Sequence, residues 1–409
     1  MISKSNKKVY LDFASATPLC KEVEKAMDSV SDFFANPDSI YASGVETKKI
    51  VENARKSVAG ILSARSDEII FTSGGTEGNN LVIFGLYNFL INENSNRKLH
   101  IVTSTIEHSS VLESIRELEN KGVKVTYVKP NNEGIIDPKD IRDALRPETF
   151  LVSIMYVNNE IGTIQPIREI SKIIRNFRKA LSPKLQALSS VFFHTDACQA
   201  PNYLDLSVQA LGVDFLTLDG GKIYGPKGVG IIFSKRSISL KPIFFGGSQE
   251  RGVRSGTLST SLVVGFAKAL EVAVLLSEKE SKRLLKLREY FLNEIINKLP
   301  KVMGQPRING SLIERVPNNI NICFEKLDAE FAVLALDAYG VECSSASTCM
   351  NIKNESYSYV VKELGEKDCS MSSLRFSFGR STTKKDLDYC LKALGHILLN
   401  QWNTSQNNK

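Results

Sequence analysis

Several short stretches carry residue types that could do chemistry. Residues 219–228 read DGGKIYGPKG, a Gly- and Pro-rich turn between the apolar runs VDFLTL and VGIIFS. Lys222 enters this turn straight from the first run. A lysine held against a buried sheet edge loses solvation, which lowers its pKa and exposes a nucleophilic amine suited to a Schiff base. The same residue, or Lys227 farther round the turn, could equally be structural or phosphate-binding. In TSGGTEGNN (72–80) an apolar strand runs into Ser-Gly-Gly-Thr and then a helical pattern. Such a junction offers free backbone N–H groups and a helix N-terminus to an anion, and similar glycine-rich junctions also serve as plain turns. It matches neither a Walker A motif nor a dinucleotide-binding GxGxxG.

Asp196 closes the apolar strand pattern FFHTDACQA. A carboxylate at the rim of a buried sheet is costly unless it meets a cation or a donor. It reads either as a helix cap or as the partner that keeps a ring nitrogen protonated. His108, in EHSSVL, reads either as a helix N-terminal residue or as a ring that stacks on a planar ligand. A phosphate site, a carboxylate for a ring nitrogen, a stacking imidazole and an amine nucleophile together fit pyridoxal 5'-phosphate, whose chemistry needs all of them.

The elements that must position these groups follow a βαβα rhythm. Strand patterns fall at 67–73, 98–105, 124–130, 150–158, 190–198, 213–221 and 229–235, with helical patterns at 79–91, 108–122, 138–146 and 166–181 between them. The strands are β-branched and nearly all apolar, which predicts a mostly parallel sheet buried between helix layers. Ligands of such sheets gather where loops leave the strands' carboxyl ends. The polar segments SGGTEGNN, IEHSS, VNNEIG, HTDACQA and DGGK all fall at such ends. From about residue 260 a long helical region with i, i+3, i+4 apolar spacing begins, followed by a second, smaller α+β pattern. The expected organisation is an N-terminal segment over 1–20 packing near the small domain and a large cofactor-binding domain over 21–260. A small C-terminal domain over 261–402 and a disordered tail over 403–409 complete it.

Bulk properties narrow the function. The chain has 409 residues, 42% hydrophobic and 24% charged, with a net charge of +7. That is globular composition with room for two domains. Acids are interleaved with the bases, so no nucleic-acid surface is expected. No run approaches the ~18 consecutive apolar residues of a membrane span, and MISKSNKKVYLDF lacks a signal-peptide core. No membrane association and a cytoplasmic location are the expectations. Cysteines stand at 20, 198, 323, 343, 349, 369 and 390, without a C-x-x-C pair. This argues against a zinc knuckle and a disulfide framework alike, leaving most as small buried hydrophobes. A cysteine in a polar, Ser-rich loop is the exception to look for, and Cys349 in ECSSASTCMN is one.

YLDFASATP, FTSGGTEGNN, EHSSVLESIRELE, NNEGIID, VSIMYVNNEIGTIQPI, HTDACQA, KIYGPKGVG, ERGVRSGTLS, RVPNNINI, ECSSASTC and LRFSFGR occur in this order. Over nearly the whole chain the set resembles the cysteine desulfurase family of class V aminotransferases, with the fold type I architecture. The resemblance implies conversion of L-cysteine to L-alanine, with sulfur kept as a persulfide for an acceptor or scaffold protein. It implies that Lys222 holds the cofactor aldehyde, that Asp196 pairs with the pyridinium nitrogen and that His108 stacks on the ring. Gln199 and Asn159 would hydrogen-bond around the ring hydroxyl and substrate, and Gly75 and Thr76 would hold the phosphate. Thr257 would reach in from the second subunit of a homodimer, and Arg375 would clamp the substrate carboxylate in bidentate geometry. The nucleophile aligns with Cys349, with Cys343 as the nearby alternative. A selenocysteine lyase or another class V transaminase or lyase is the rival within this class. A degenerate paralogue acting as a binding partner is the rival outside it.

Two departures stand out. The family's Ser-x-His-Lys is here Asp219-Gly220-Gly221-Lys222, which replaces a phosphate-holding hydroxyl by a carboxylate and an imidazole by hydrogen. An ionised Asp beside a phosphate dianion is repulsive unless it turns away or pairs with a cation. The nucleophile loop carries Ala346 and Thr348 where the family has Gly and Ala.

Overall fold

The computed structural model describes residues 8–93, 98–181, 191–345, 357–365 and 368–407. In chain order the elements are β1 (Val9–Tyr10), α1 (Lys21–Asp28), α2 (Ala42–Ile61), β2 (Ile69–Thr72), α3 (Gly75–Glu93), β3 (His100–Ser104), α4 (Ser109–Asn120), β4 (Lys124–Val128), α5 (Pro138–Ala144), β5 (Thr149–Ser153), α6 (Ile167–Ala180), β6 (Phe192–Asp196), α7 (Val208–Leu211), β7 (Phe215–Asp219) and β8 (Gly230–Ser234). Then follow α8 (Thr260–Lys298), β9 (Arg307–Ile308), β10 (Asn319–Cys323), α9 (Ala329–Ala338), β11 (Val341–Glu342), β12 (Ser344–Ser345), α10 (Tyr359–Glu363), β13 (Ser373–Ser377) and α11 (Lys384–Asn407).

The main sheet has seven strands in the order β2-β8-β7-β6-β5-β3-β4. Neighbours from β7 to β4 run parallel, whereas β8 is antiparallel to both β2 and β7. Because β2 and β7 both oppose β8, they point the same way, and their carboxyl ends lie on the sheet edge used by the other parallel strands. β2, β3 and β5 are buried along their whole length, as strands covered by helices on both faces must be. Helices seal the sheet with apolar stripes: α6 buries Ile167, Ile170 and Ile174, at helical spacing.

A second core forms around the four-stranded sheet β12-β13-β10-β9, with Phe291, Ile320, Phe376 and Leu394 inside it. The N-terminal strand β1 joins this side, pairing in parallel with β11. The 39-residue α8 serves both cores, burying Val263, Phe266 and Leu270 in the first and Leu284, Phe291 and Ile295 in the second. By length and composition this helix could cross a bilayer, but half of its most apolar window is buried inside the fold, as a core helix requires.

Some sequence expectations shift. The strand pattern 150–158 stays bonded to β6 as far as Tyr156, whose amide donates to the Asp196 carbonyl at 2.8 Å, and Asn158 then turns the chain by accepting the Glu160 and Ile161 amides at 2.9 and 3.0 Å. The polar end expected to be an unstructured tail continues α11 to Asn407, since these residues lack the Gly or Pro that stops a helix. Cys323 and Cys369 were expected as unpaired small hydrophobes. They form a disulfide with Cα atoms 5.3 Å apart. Their separation of 46 residues hid this, because β10 and the turn at Asp368–Ser370 bring them together only in the fold.

Candidate active site

The strand ends do converge. β6 delivers Asp196, whose Oδ1 accepts the Cys198 amide at 3.0 Å and whose Oδ2 accepts Asn79 Nδ2 at 2.7 Å. The same Asn79 amide nitrogen also donates to Ser110 Oγ at 2.8 Å. His108 caps α4, its Nδ1 accepting the Ser110 amide at 3.2 Å and sharing a hydrogen bond with Ser110 Oγ at 2.8 Å. The chain His108–Ser110–Asn79–Asp196 therefore fixes the imidazole and the carboxylate relative to each other. Nδ1 acts as an acceptor, so the proton of the neutral ring sits on Nε2. Burial lowers the His108 pKa, helped by Lys222 and opposed by Asp196 and Asp219. The imidazole is thus held neutral, the form that stacks on a planar ring without competing for the carboxylate.

Lys222 ends a short 3-10 turn, Gly220–Lys222, directly after β7. Its Nζ donates to the carbonyls of Ala14 and Ser15, the former at 3.3 Å. Lys227 is exposed on the far side of the turn. Gly220 cannot be larger, because a Cβ there would lie 2.6 Å from the Pro226 carbonyl. Gln199 donates to the same Ala14 carbonyl at 2.8 Å, so this amide holds the N-terminal segment against the lysine.

That segment also reaches the four-stranded sheet of the second core. Arg375, on β13, donates through Nη2 to Asp12 Oδ1 and to Ser15 Oγ, both at 2.7 Å. Its Nη1 donates to the Asn159 carbonyl at 3.0 Å. The guanidinium is buried, and its Nε has no partner among the described residues. Ser344 of β12 lies directly opposite Arg375, so the strand leading into the Ser-rich loop starts beside this arginine. Cys349 itself falls in 346–356, outside the described residues. Its alternative, Cys343, is buried in the second core, and burial drives its thiol pKa well up, which disfavours the attacking thiolate.

Gly75 opens α3, while Thr76 is exposed one residue on. Ser73 N–H is taken by Glu77, which is itself paired with Arg254. Gly75 N–H is taken by the carboxylate of Asp219 at 2.8 Å. Thr257 is exposed, on the stretch that Gln249 ties to Asp38 through its contacts with the Gly256 amide and the Asp38 carboxylate. Among the described residues no hydrogen bond joins Thr257 to the rest of this group.

Asn79, Asp12 and Ser15 escaped the sequence reading. Asn79 was legible only as the second turn of the helix that starts at Gly75. Asp12 and Ser15 lie in YLDFASATP, far in sequence from everything they touch.

An amine, a carboxylate and a neutral imidazole on one sheet edge, with a buried arginine across from them, define a transferase of the type I fold. A family model described as aminotransferase class-V matches residues 9–390, and the chain belongs to that family. The cysteine desulfurase IscS of Dictyoglomus turgidum is 42% identical over 394 residues, covering 96% of this chain and 95% of that protein. The cysteine desulfurase IscS of Methanosarcina thermophila is 38% identical, covering 97% and 93%. A solved structure of a NifS-like protein superposes with a TM-score of 0.86 at 30% identity, covering 96% of this chain and 100% of that one. Within the family, the chain's place is among the cysteine desulfurases.

Proposed function

We propose that this site converts L-cysteine to L-alanine and passes the sulfur to Cys349 as a persulfide, with pyridoxal phosphate bound on Lys222. The observation that carries this reading is the fixed relation of Asp196, His108 and Lys222 at one strand edge, with Arg375 reaching the same N-terminal loop. The cofactor's ring end fits: Asp196 is immobilised by two donors, and the lysine is held only by backbone carbonyls that a ligand can replace. The phosphate end fits less freely, because Asp219 shares it. When bound, the cofactor supplies an aldehyde for the amine and a ring that accepts electrons from the substrate's α-carbon.

The chain's own residues do the rest. Asp196 holds a proton on the ring nitrogen, and Asn79 keeps its carboxylate aimed. His108 would lie against the ring face. Lys222 would be the base that moves a proton at the substrate's α-carbon. Arg375 binds the substrate carboxylate as a planar fork. The Cys349 thiolate would attack the substrate sulfur, forming an S–S bond as the carbon–sulfur bond breaks, with the bonding pair left on the substrate's β-carbon, which takes a proton to become the methyl group of alanine.

The working unit we propose is a homodimer in the cytoplasm. Phe34 is 93% exposed, Ile40 96% and Phe245 89%, large apolar side chains that a second copy would cover. Gln249 joins Asp38, between the first two in sequence, to the Gly256 amide beside Thr257, which supports Thr257 acting in the partner's site. The persulfide sulfur goes to an acceptor or scaffold protein, for iron–sulfur cluster assembly or tRNA thiolation.

The test is borohydride reduction of the full-length protein after incubation with pyridoxal phosphate, followed by peptide mapping and an alanine assay with L-cysteine. An adduct on Lys222 and alanine production are expected. An adduct on another lysine, or none, overturns the reading.

A further inference from the structure

Asp219 closes β7 with each carboxylate oxygen on a different backbone amide. Oδ2 accepts Gly75 N–H, the first residue of the 19-residue α3, at 2.8 Å. Oδ1 accepts Gly221 N–H at 2.7 Å. The surrounding glycines leave the carboxylate this space. A Cβ on Gly74, whose φ is +151°, would sit 2.9 Å from Oδ2, and one on Gly221 would sit 3.2 Å from Oδ1. Asp219, Gly74 and Gly221 are therefore one arrangement: side chains at 74 or 221 would press on the carboxylate.

A helix N-terminus attracts one anion through its free amides and its dipole. Here that position is filled from within the chain. We propose that Asp219 is a resident anion that competes with the cofactor phosphate for the α3 N-terminus, which makes it the residue that sets this chain's discrimination between pyridoxal phosphate and pyridoxal. The inference rests on the cofactor reading above. To bind, the phosphate must displace the carboxylate from Gly75 N–H or accept its repulsion, so the phosphate adds little affinity. The alcohol of pyridoxal meets no such competition.

The same logic gives a readout independent of turnover. Full-length protein stripped of cofactor is titrated with pyridoxal phosphate and with pyridoxal, following the visible band, for the native chain and for Asp219→Ser and Asp219→Asn. The native chain is expected to bind the two with dissociation constants within about tenfold of each other. Asp219→Ser is expected to tighten pyridoxal phosphate roughly ten- to a hundredfold, the scale of one charge-assisted hydrogen bond freed for the ligand. Its affinity for pyridoxal should stay within about threefold. Asp219→Asn keeps the shape and removes the charge, and is expected to fall between. Inorganic phosphate should raise the melting temperature of stripped Asp219→Ser and leave that of the native chain unchanged. Unchanged or weaker pyridoxal phosphate binding in both variants, with a Lys222 adduct still formed, overturns this inference and leaves the cofactor reading intact. No adduct in the native chain overturns both.

Discussion

Arg375 and Asp12 meet at 2.7 Å across 363 residues of chain, joining a strand of the four-stranded sheet to the N-terminal segment that also holds Lys222. The pair is charge-assisted and buried on the arginine side, so it orients the guanidinium before any substrate arrives. Asp12→Ala leaves a buried charge without its carboxylate, a change that costs about 3–5 kcal/mol of stability. Asp12→Asn is the milder probe: it keeps an acceptor, and its KM for L-cysteine is expected to rise about tenfold as the guanidinium loses its fixed aim. Steady-state kinetics checks this, and an unchanged KM would show that Asp12 does not position Arg375.

Asn79 acts on the chemistry only through Asp196 and Ser110. Asn79→Ala is expected to lower kcat about tenfold while KM changes less than about twofold, because aim is lost rather than binding. The visible band of the holoenzyme should shift as the ring nitrogen loses its fixed partner. A melting-temperature drop with an unaltered band and kcat would assign Asn79 a purely structural role.

Cys349 and Cys343 separate cleanly. Cys349→Ser is expected to abolish persulfide formation, read by mass spectrometry after a single addition of L-cysteine. Cys343→Ser buries a hydroxyl in the second core and costs about 1–3 kcal/mol, yet persulfide should still form on Cys349. Labelling at 343 would reverse the assignment.

Two buried acids predict a pH dependence. Burial pushes the Glu160 carboxyl up to about 7, against Ser358 and Arg375, and Glu107 up to about 8, against Ser104 and the Met155 amide. In the folded chain both keep a proton that unfolded carboxyls, with their usual value of 4.5, have lost. The folded state thus binds more protons between the unfolded value and the raised ones. Their contribution is fully present below the window and is lost as pH rises through it. Urea unfolding at pH 5 and pH 8 is expected to show a smaller loss for Glu160→Gln than for the native chain, by about 1–3 kcal/mol. Parallel losses would rule Glu160 out as a source.

The Cys323–Cys369 bond closes a 46-residue separation. Chain-entropy reasoning assigns such a loop about 4 kcal/mol. The Cys323→Ala/Cys369→Ala chain is expected to unfold at lower urea than the oxidised native chain by about 2–4 kcal/mol and to ignore reductant. An oxidised native chain no more stable than this variant would deny the bond any role.

The sheet was legible because its strands are continuous apolar runs with polar residues at one end, a pattern that Ile69–Thr72 and Phe215–Asp219 both show. The convergence of Asp196, His108 and Lys222 followed from the rule that parallel strands end on one edge. What stayed hidden was contact across long separations. Nothing in FTSGGTEGNN says that its Gly75 amide is met by Asp219, because the two lie 144 residues apart. α1 and α2 are hard to read because only Val23 is buried in α1, and the buried face of α2 mixes Thr47 and Arg55 with Val51 and Val58. The Cys323–Cys369 pairing needed geometry that spacing does not encode.

α8 has a mechanical consequence. At ~1.5 Å per residue, its 39 residues make a shaft roughly 58 Å long, with one half sealed in each core. A shaft anchored at both ends resists bending, so the two cores are expected to move as one stiff body. Motion during turnover then falls to segments that α8 does not brace. The long helix works as a keel that ties the two cores together.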